Sequence, residues 1–146
     1  MVTEILSPDR ILINLQVDNK NDLLLELCSG LRLRNWRQIH KEVIKREKIM
    51  STGIGEGIAI PRCVSKVIKK PIGCLAILKN PIDFESLDRR PVKIAILLAI
   101  PEGSRDHARI LATFIELLSQ ESIQKHLIQM DSSEEVMRFL DSREPE

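Results

Sequence analysis

The sequence lacks a charge imbalance: 22 lysine and arginine residues face 21 aspartate and glutamate residues, which gives a formal net charge of +1. Domains that bind nucleic acid are usually strongly basic, so the composition gives no global electrostatic case for a nucleic-acid partner. Two basic clusters, within residues 41–48 and 66–70, are interrupted by apolar residues at structural spacing. We interpret both as a solvated helix face or strand end rather than as a patch for an anionic partner.

The sequence also lacks a long apolar run, and no stretch approaches the roughly 20 residues that a membrane-spanning helix needs. The first residues include Glu4 and Asp9 and lack a basic segment followed by an apolar one, so we expect no signal peptide. The three cysteines, Cys28, Cys63 and Cys74, are odd in number and lack the spacing of metal ligands. We therefore expect no metal site, no membrane insertion and a reducing, cytoplasmic setting.

The sequence contains enough apolar residues to form one hydrophobic core. Apolar residues make up 43% of the 146 residues, and a chain of this length buries roughly 70% of its unfolded surface on folding. No internal repeat, low-complexity stretch or linker divides the chain. We expect a single domain over residues 1–146.

The hydrophobic pattern predicts helices both before and after a group of buried strands. The expected strands are Ile11–Leu15, Gly57–Ile60, Ile72–Leu78 and the nearly all-apolar Val92–Ile100. The expected helices begin at Asp18 or Asn19, near Trp36, at Ser104, at Ser119 and at a capping box over residues 131–135. This order of elements predicts the α/β class, as a three-layer α/β/α sandwich with a central mixed sheet.

A glycine-rich segment stands between the second helix and the second strand. Gly53, Gly55 and Gly57 are too close together for a helix or strand, so they predict a tight loop. Pro61 is expected to end the strand that follows and to leave Arg62 at its rim. Glycine amides can converge on an anion, but the spacing matches neither phosphate-loop motif. The pattern alone favours a plain tight connection over a ligand-binding loop.

This segment resembles the signature of the type-2 enzyme IIA proteins of the bacterial phosphotransferase system, the fructose, mannitol and nitrogen-regulatory class. The resemblance rests on Lys45-Arg46-Glu47, Ser51-Thr52-Gly53-Ile54-Gly55 and Gly57-Ile58-Ala59-Ile60-Pro61. It continues through Ile82-Asp83-Phe84, Asp88 to Val92, the strand ending at Pro101 and the helix containing His107. The resemblance covers essentially the whole chain in the right order.

The resemblance implies a phosphoryl site and also a defect in it. In that family, the histidine after the proline takes a phosphoryl group from the phosphocarrier protein HPr and passes it to a cysteine of a IIB domain, or holds it as a regulatory mark. Here that position is Arg62, which has no lone pair with which to attack phosphorus. The other implied site residues are Arg46, Glu56 and His107, with binding contributions from Gly53, Gly55, Gly57 and Pro61.

Several of these residues also have a structural interpretation. Arg46 can simply cap or pair on its helix, Glu56 can be a solvated loop acid or pair with Arg62, and His107 falls on an apolar helix stripe. Cys63 is the other candidate nucleophile, but alternation along the strand should turn it away from the site.

We therefore expect a non-catalytic regulator that needs no cofactor and that binds an HPr-type phosphocarrier protein, a IIB domain or a regulatory target. One alternative is a small-anion sensor, in which Arg46, Arg62 and the loop amides bind a phosphorylated metabolite or a carboxylate. Another alternative is an active phosphoryl carrier that uses His107. The sugar-transport and nitrogen-regulatory branches both stay open on the sequence.

Overall fold

Six strands form one mixed sheet in the computed structural model, which describes residues 1–145. They are β1 (Ile11–Leu15), β2 (Gly53–Gly55), β3 (Ile58–Ala59), β4 (Arg62–Ser65), β5 (Ile72–Ile82) and β6 (Val92–Pro101). The strand order is β1-β5-β6-β3-β2. β4 also pairs with β6, further along that strand than β3 does. β5 runs antiparallel to β6, whereas β3 and β4 run parallel to it.

Helices cover both faces of this sheet. They are α1 (Val2–Ile5), α2 (Lys20–Gly30), α3 (Trp36–Ile49), α4 (His107–Leu118), α5 (Glu121–Gln129) and α6 (Ser133–Arg143), with a short 3₁₀ helix at Pro8–Arg10. Residues of α1, α4, α5 and α6 share one core with the sheet, in which Phe114 is fully buried. Residues of α2 and α3 form the other core, with Phe84. The predicted three-layer α/β/α sandwich is thus confirmed.

The all-apolar sequence of β6 is explained by burial on both faces. Ile94, Ile96 and Leu98 belong to the core under α4–α6, whereas Ala95 and Leu97 belong to the core under α2 and α3. Successive side chains of a strand point to opposite faces of the sheet, so each core receives every second residue of β6. β6 therefore forms the centre of the molecule, as its composition predicted.

Two of the predicted helix starts are supported by side-chain caps. The Asn19 side-chain oxygen accepts a hydrogen bond from the Asp22 amide at 2.8 Å, at the start of α2. The Ser132 hydroxyl accepts one from the Glu135 amide at 3.1 Å, at the start of α6. Each cap satisfies an amide of the first helical turn that has no partner within the helix.

The strand before Pro61 ends at Ala59, as expected, but the expectation that Arg62 lies outside the sheet is wrong. The Pro61 carbonyl accepts a hydrogen bond from the Leu98 amide at 3.0 Å, and pairing with β6 then resumes as β4, from Arg62 opposite Leu98 to Ser65 opposite Pro101. The proline ring removes one donor but leaves its carbonyl free to hold the edge of β6. Arg62 therefore begins a strand instead of standing at a free rim.

Other element boundaries differ from the predictions in smaller ways. β5 continues to Ile82, four residues past the predicted end, and the predicted tight loop contains the short strand β2. α4 begins at His107 and not at Ser104. Among residues 1–145, no helix is both long and apolar enough to cross a membrane.

Candidate functional site

A cavity of about 410 Å³ opens where three elements meet at the edge of the sheet. The second half of α3, strand β4 and the first residue of α4 form its walls. Its lining consists of Glu42, Lys45, Arg46, Ile49, Arg62, Cys63, Val64 and His107. Three of the four sequence-predicted site residues, Arg46, Arg62 and His107, are thus brought together.

Arg62 is half-buried in this cavity, and its side chain folds back onto the segment before Pro61. Its Nη1 donates a hydrogen bond to the Ile60 carbonyl at 2.9 Å, which leaves its other guanidinium donors available. Burial lowers the pKa of Arg62, and the positive charge of Arg46 lowers it further, while Glu47 opposes both effects. A guanidinium keeps its proton in proteins, so Arg62 supplies a fixed positive charge.

Two further cations come from the last turns of α3. Arg46 donates through Nη1 to the Met50 carbonyl at 3.0 Å, beyond the end of the helix, and Lys45 is exposed beside it. Within residues 1–145, neither of them nor Arg62 has a carboxylate within 4.0 Å. The cationic groups of the cavity are therefore not neutralised by ion pairs.

Glu42 is the single acid in the lining. Its Oε1 accepts a long hydrogen bond of 3.4 Å from the Gln38 amide, and its Oε2 is buried without a hydrogen-bond partner among the described residues. With three cations and one carboxylate, the lining has a charge of +3 − 1 = +2 when His107 is neutral. The cavity is electropositive even though the whole chain is nearly neutral.

His107 is the first residue of α4 and is partly buried. Burial lowers the pKa of its imidazole, and the charges of Arg62 and Arg46 lower it further. Because the ordinary value is already below 7, the imidazole is neutral at pH 7 and retains a lone pair on one nitrogen.

Cys63 also lines the cavity, although alternation was expected to turn it away. β4 pairs only with β6 within the described chain, so the cavity extends around its free edge and touches Arg62, Cys63 and Val64 in succession. The Cys63 side chain is only 5% exposed. Burial and the nearby Glu42 raise the pKa of its thiol to about 12, so it is not a thiolate at neutral pH and is a poor nucleophile.

Glu56 lies outside this lining. Its backbone has a positive φ of 58°, its amide donates to Asp88 Oδ2 at 2.9 Å, and its carbonyl accepts from Gln124 Nε2 at 3.1 Å. In the described part of the chain its carboxylate forms no ion pair with Arg62. The suggested pairing of Glu56 with Arg62 is therefore not seen.

The three loop glycines and Pro61 do not line the cavity either. A Cβ atom at Gly53 would lie 2.1 Å from the Ser86 hydroxyl, and Gly55 has a φ of +97° with the Asp88 carboxylate 3.0 Å from the position of its missing Cβ. The glycines therefore allow the β2–β3 hairpin to pack closely against the segment before β6. The predicted tight loop is therefore part of a hairpin, and a binding role of these residues stays a prediction.

Glu47 is a structural residue of the site that the sequence analysis did not single out. It is buried, and its two carboxylate oxygens accept hydrogen bonds from the Thr52 amide and the Thr52 hydroxyl, both at 2.7 Å. Lys20 Nζ lies 2.9 Å from the same carboxylate. These contacts tie the end of α3, and hence Arg46, to the loop. The sequence feature that could have indicated this role is the position of Glu47 in the Lys45-Arg46-Glu47 motif.

Comparison with known proteins agrees with this architecture. Residues 4–143 match the family model described as "Phosphoenolpyruvate-dependent sugar phosphotransferase system, EIIA 2". The chain is 38% identical over 130 residues to a nitrogen regulatory protein of Bradyrhizobium diazoefficiens, which covers 86% of this chain and 85% of that protein. It is 31% identical to part of a fructose-specific EIIABC component of Bacillus subtilis, of which it spans 23%.

Solved structures show the same fold. The nitrogen regulatory protein IIA-Ntr of Neisseria meningitidis superposes with a TM-score of 0.89 at 30% identity, covering 95% of this chain and 98% of that one. A mannitol enzyme IIA of Escherichia coli, solved in complex with its phosphorylated enzyme IIB, superposes with a TM-score of 0.81. That match covers 94% of this chain and 98% of the other, at 19% identity, which supports the shared fold alone.

Proposed function

The chain belongs to the type-2 EIIA family of the phosphoenolpyruvate-dependent sugar phosphotransferase system and resembles its nitrogen-regulatory members, and we propose that it regulates by binding partner proteins without carrying phosphate at position 62. The observation behind this proposal is the chemistry of Arg62 in the cavity with Arg46 and His107. Phosphoryl acceptance requires a lone pair, and a guanidinium offers none.

The other residues of the cavity support partner binding. Phosphoryl transfer depends mostly on positioning and charge stabilisation, and Arg46 and His107 line the same cavity as Arg62. We propose an HPr-type phosphocarrier protein, a IIB-type domain or a regulatory target as the partner. The E. coli mannitol enzyme IIA, which shares this fold, is seen with a phosphorylated IIB protein. The proposal places the protein in the cytoplasm, where its three buried free thiols stay reduced.

One observation favours a second candidate, a phosphoryl carrier that uses His107. The imidazole lines the cavity and is neutral at pH 7, which is the protonation state that a nucleophilic histidine needs. Against it, Arg62 occupies the same cavity and contributes a neighbouring positive charge instead of a base.

The test is phosphorylation by phosphoenolpyruvate, enzyme I and HPr, with intact-mass measurement of the native protein and of Arg62→His. We expect the variant alone to gain one phosphoryl group, because the cavity then contains an imidazole at the acceptor position. Arg34→His is the matched control, since Arg34 is exposed and does not line the cavity. Stoichiometric labelling of the native protein that is lost in His107→Ala would replace the proposal with the second candidate.

A further inference from the structure

The cavity described above contains more positive charge than the protein itself neutralises. Lys45, Arg46 and Arg62 line it with Glu42 as the single acid, a balance of +3 − 1 = +2, and none of the three cations has an ion pair within the described residues. Clustered like charges are unfavourable: burial lowers the pKa values of Arg62 and His107 most, and the neighbouring positive charges lower both further. An anion in the cavity would relieve this repulsion.

Exposed apolar side chains stand around the same opening. Ile49 and Val64 belong to the lining and are 78% and 47% exposed, and Met50, next to Ile49, is 62% exposed. Large apolar groups gathered around one opening are typical of a surface that another protein covers. In protein interfaces such residues exclude water from a polar group at the centre and strengthen its electrostatic contacts.

We propose that this cavity binds a phosphoryl group attached to a side chain of a partner protein and keeps it unreacted, so that the protein distinguishes its phosphorylated partner from the unphosphorylated form. The inference rests on the proposed function, because a site that accepted the phosphoryl group would release the partner instead. No bond is made or broken in this binding. Arg62 acts as a ligand for the phosphoryl oxygens.

A phosphoryl group fits the cavity better than a carboxylate does. It brings a charge of roughly −1.5 to −2 at neutral pH, which matches the +2 of the lining, whereas a carboxylate would leave a positive excess. Guanidinium groups form paired hydrogen bonds with phosphate oxygens. Arg46 and Arg62 each use one donor on a backbone carbonyl and have others to offer.

The apolar rim favours a protein-borne phosphoryl group over a free one. A free phosphate or small metabolite would contact only the cationic side chains of the cavity. It would leave the apolar side chains of Ile49, Met50 and Val64 in water. A folded partner that presents a phosphorylated side chain would cover both the cationic and the apolar side chains. The two sources therefore differ in whether the rim contributes to affinity.

The experiment compares binding of HPr in its unphosphorylated and histidine-phosphorylated forms, measured by calorimetry at two salt concentrations. We expect the phosphorylated form to bind about tenfold more tightly or better, as the gain of charge-assisted hydrogen bonds implies, with a preference that falls as salt rises. Arg62→Gln should lose most of the preference for the phosphorylated form. Arg34→Gln should retain both properties, and Ile49→Ser should weaken both forms alike.

Equal binding of the two forms by native protein, or no binding of the phosphorylated form, would overturn the inference. Full displacement of phosphorylated HPr by inorganic phosphate at comparable concentration would also overturn it, since the cavity would then be a small-anion site. The failure of the proposed function is a different outcome: there the native protein would gain a phosphoryl group in the mass measurement. A native protein that stays unlabelled yet binds both forms equally would contradict this inference alone.

Discussion

At the scale of single residues, His107 reports the electrostatics of the cavity. Burial lowers its pKa first, followed by the charges of Arg62 and then Arg46. We predict that Arg62→Gln raises the pKa of His107 and that Arg46→Gln raises it less, because each change removes a positive charge that disfavours the imidazolium. The measurement is an NMR titration of the histidine ring signals.

The control for this prediction is Arg34→Gln, which changes the net charge equally but not the cavity. If all three variants shift the titration of His107 by the same amount, the cavity charges do not set its pKa.

The lowered pKa of His107 also makes stability depend on pH. Since the folded-state pKa lies below the unfolded value of about 6.5, unfolding takes up protons in acid, so this contribution to stability falls as pH drops below about 6.5.

How far single residues were predictable depends on what fixes their side chains. Arg46, Arg62 and His107 were expected in one site, and they line one cavity, because strand and helix ends fix where they point. Glu56 was expected with them, but its backbone is held by Asp88 and Gln124, which are 32 and 68 residues away in sequence. Contacts of such range leave no trace in a local motif. The roles of all four residues stay predictions.

At the scale of elements, Glu47 connects α3, α2 and the loop before β2. We predict that Glu47→Ala destabilises the protein by about 3 kcal/mol, because it leaves the Thr52 amide and hydroxyl without their acceptor and leaves Lys20 Nζ only the longer pair with exposed Glu85, at 3.8 Å. Urea unfolding followed by circular dichroism measures the change in the free energy of unfolding.

Lys48→Ala is the matched control, because Lys48 is the neighbouring exposed residue on the same helix and makes no ion pair within residues 1–145. We expect it to change stability by less than about 0.5 kcal/mol. A Glu47→Ala protein as stable as this control would show that the carboxylate network is replaced by water at little cost. In that case the Glu47 network would not be what holds Arg46 in position.

The elements themselves were predictable where the pattern is long and regular. The apolar run of β6 and the helix periods of α2 and α3 predicted those elements closely. β4 was missed because a proline usually ends a strand, and here its carbonyl keeps the pairing with β6. α1 has four residues, which is too short for a hydrophobic period to be recognised.

At the scale of the whole molecule, the two helical layers share one sheet. β5 and β6 contribute Leu75, Ile94 and Ile96 to one core and Ala76, Ala95 and Leu97 to the other. Loss of either layer would expose one face of the same strands. The cavity lies where both layers meet the edge at β4, since α3 belongs to one layer and α4 to the other. Its geometry therefore depends on the fold of the entire molecule.

We predict from this shared sheet that the two layers unfold together. Trp36, the single tryptophan, packs against the core under α2 and α3, whereas Ile123 is buried in the core under α4–α6. Ile123→Val should cost about 1 kcal/mol and, with a urea m-value of about 2 kcal/mol/M, lower the unfolding midpoint by about 0.5 M. Trp36 fluorescence should show that shift as fully as far-ultraviolet circular dichroism does, although the substitution lies in the other layer. Fluorescence that keeps its native midpoint while circular dichroism moves would instead mean that the layers unfold independently, and that the cavity opens when only one of them is lost.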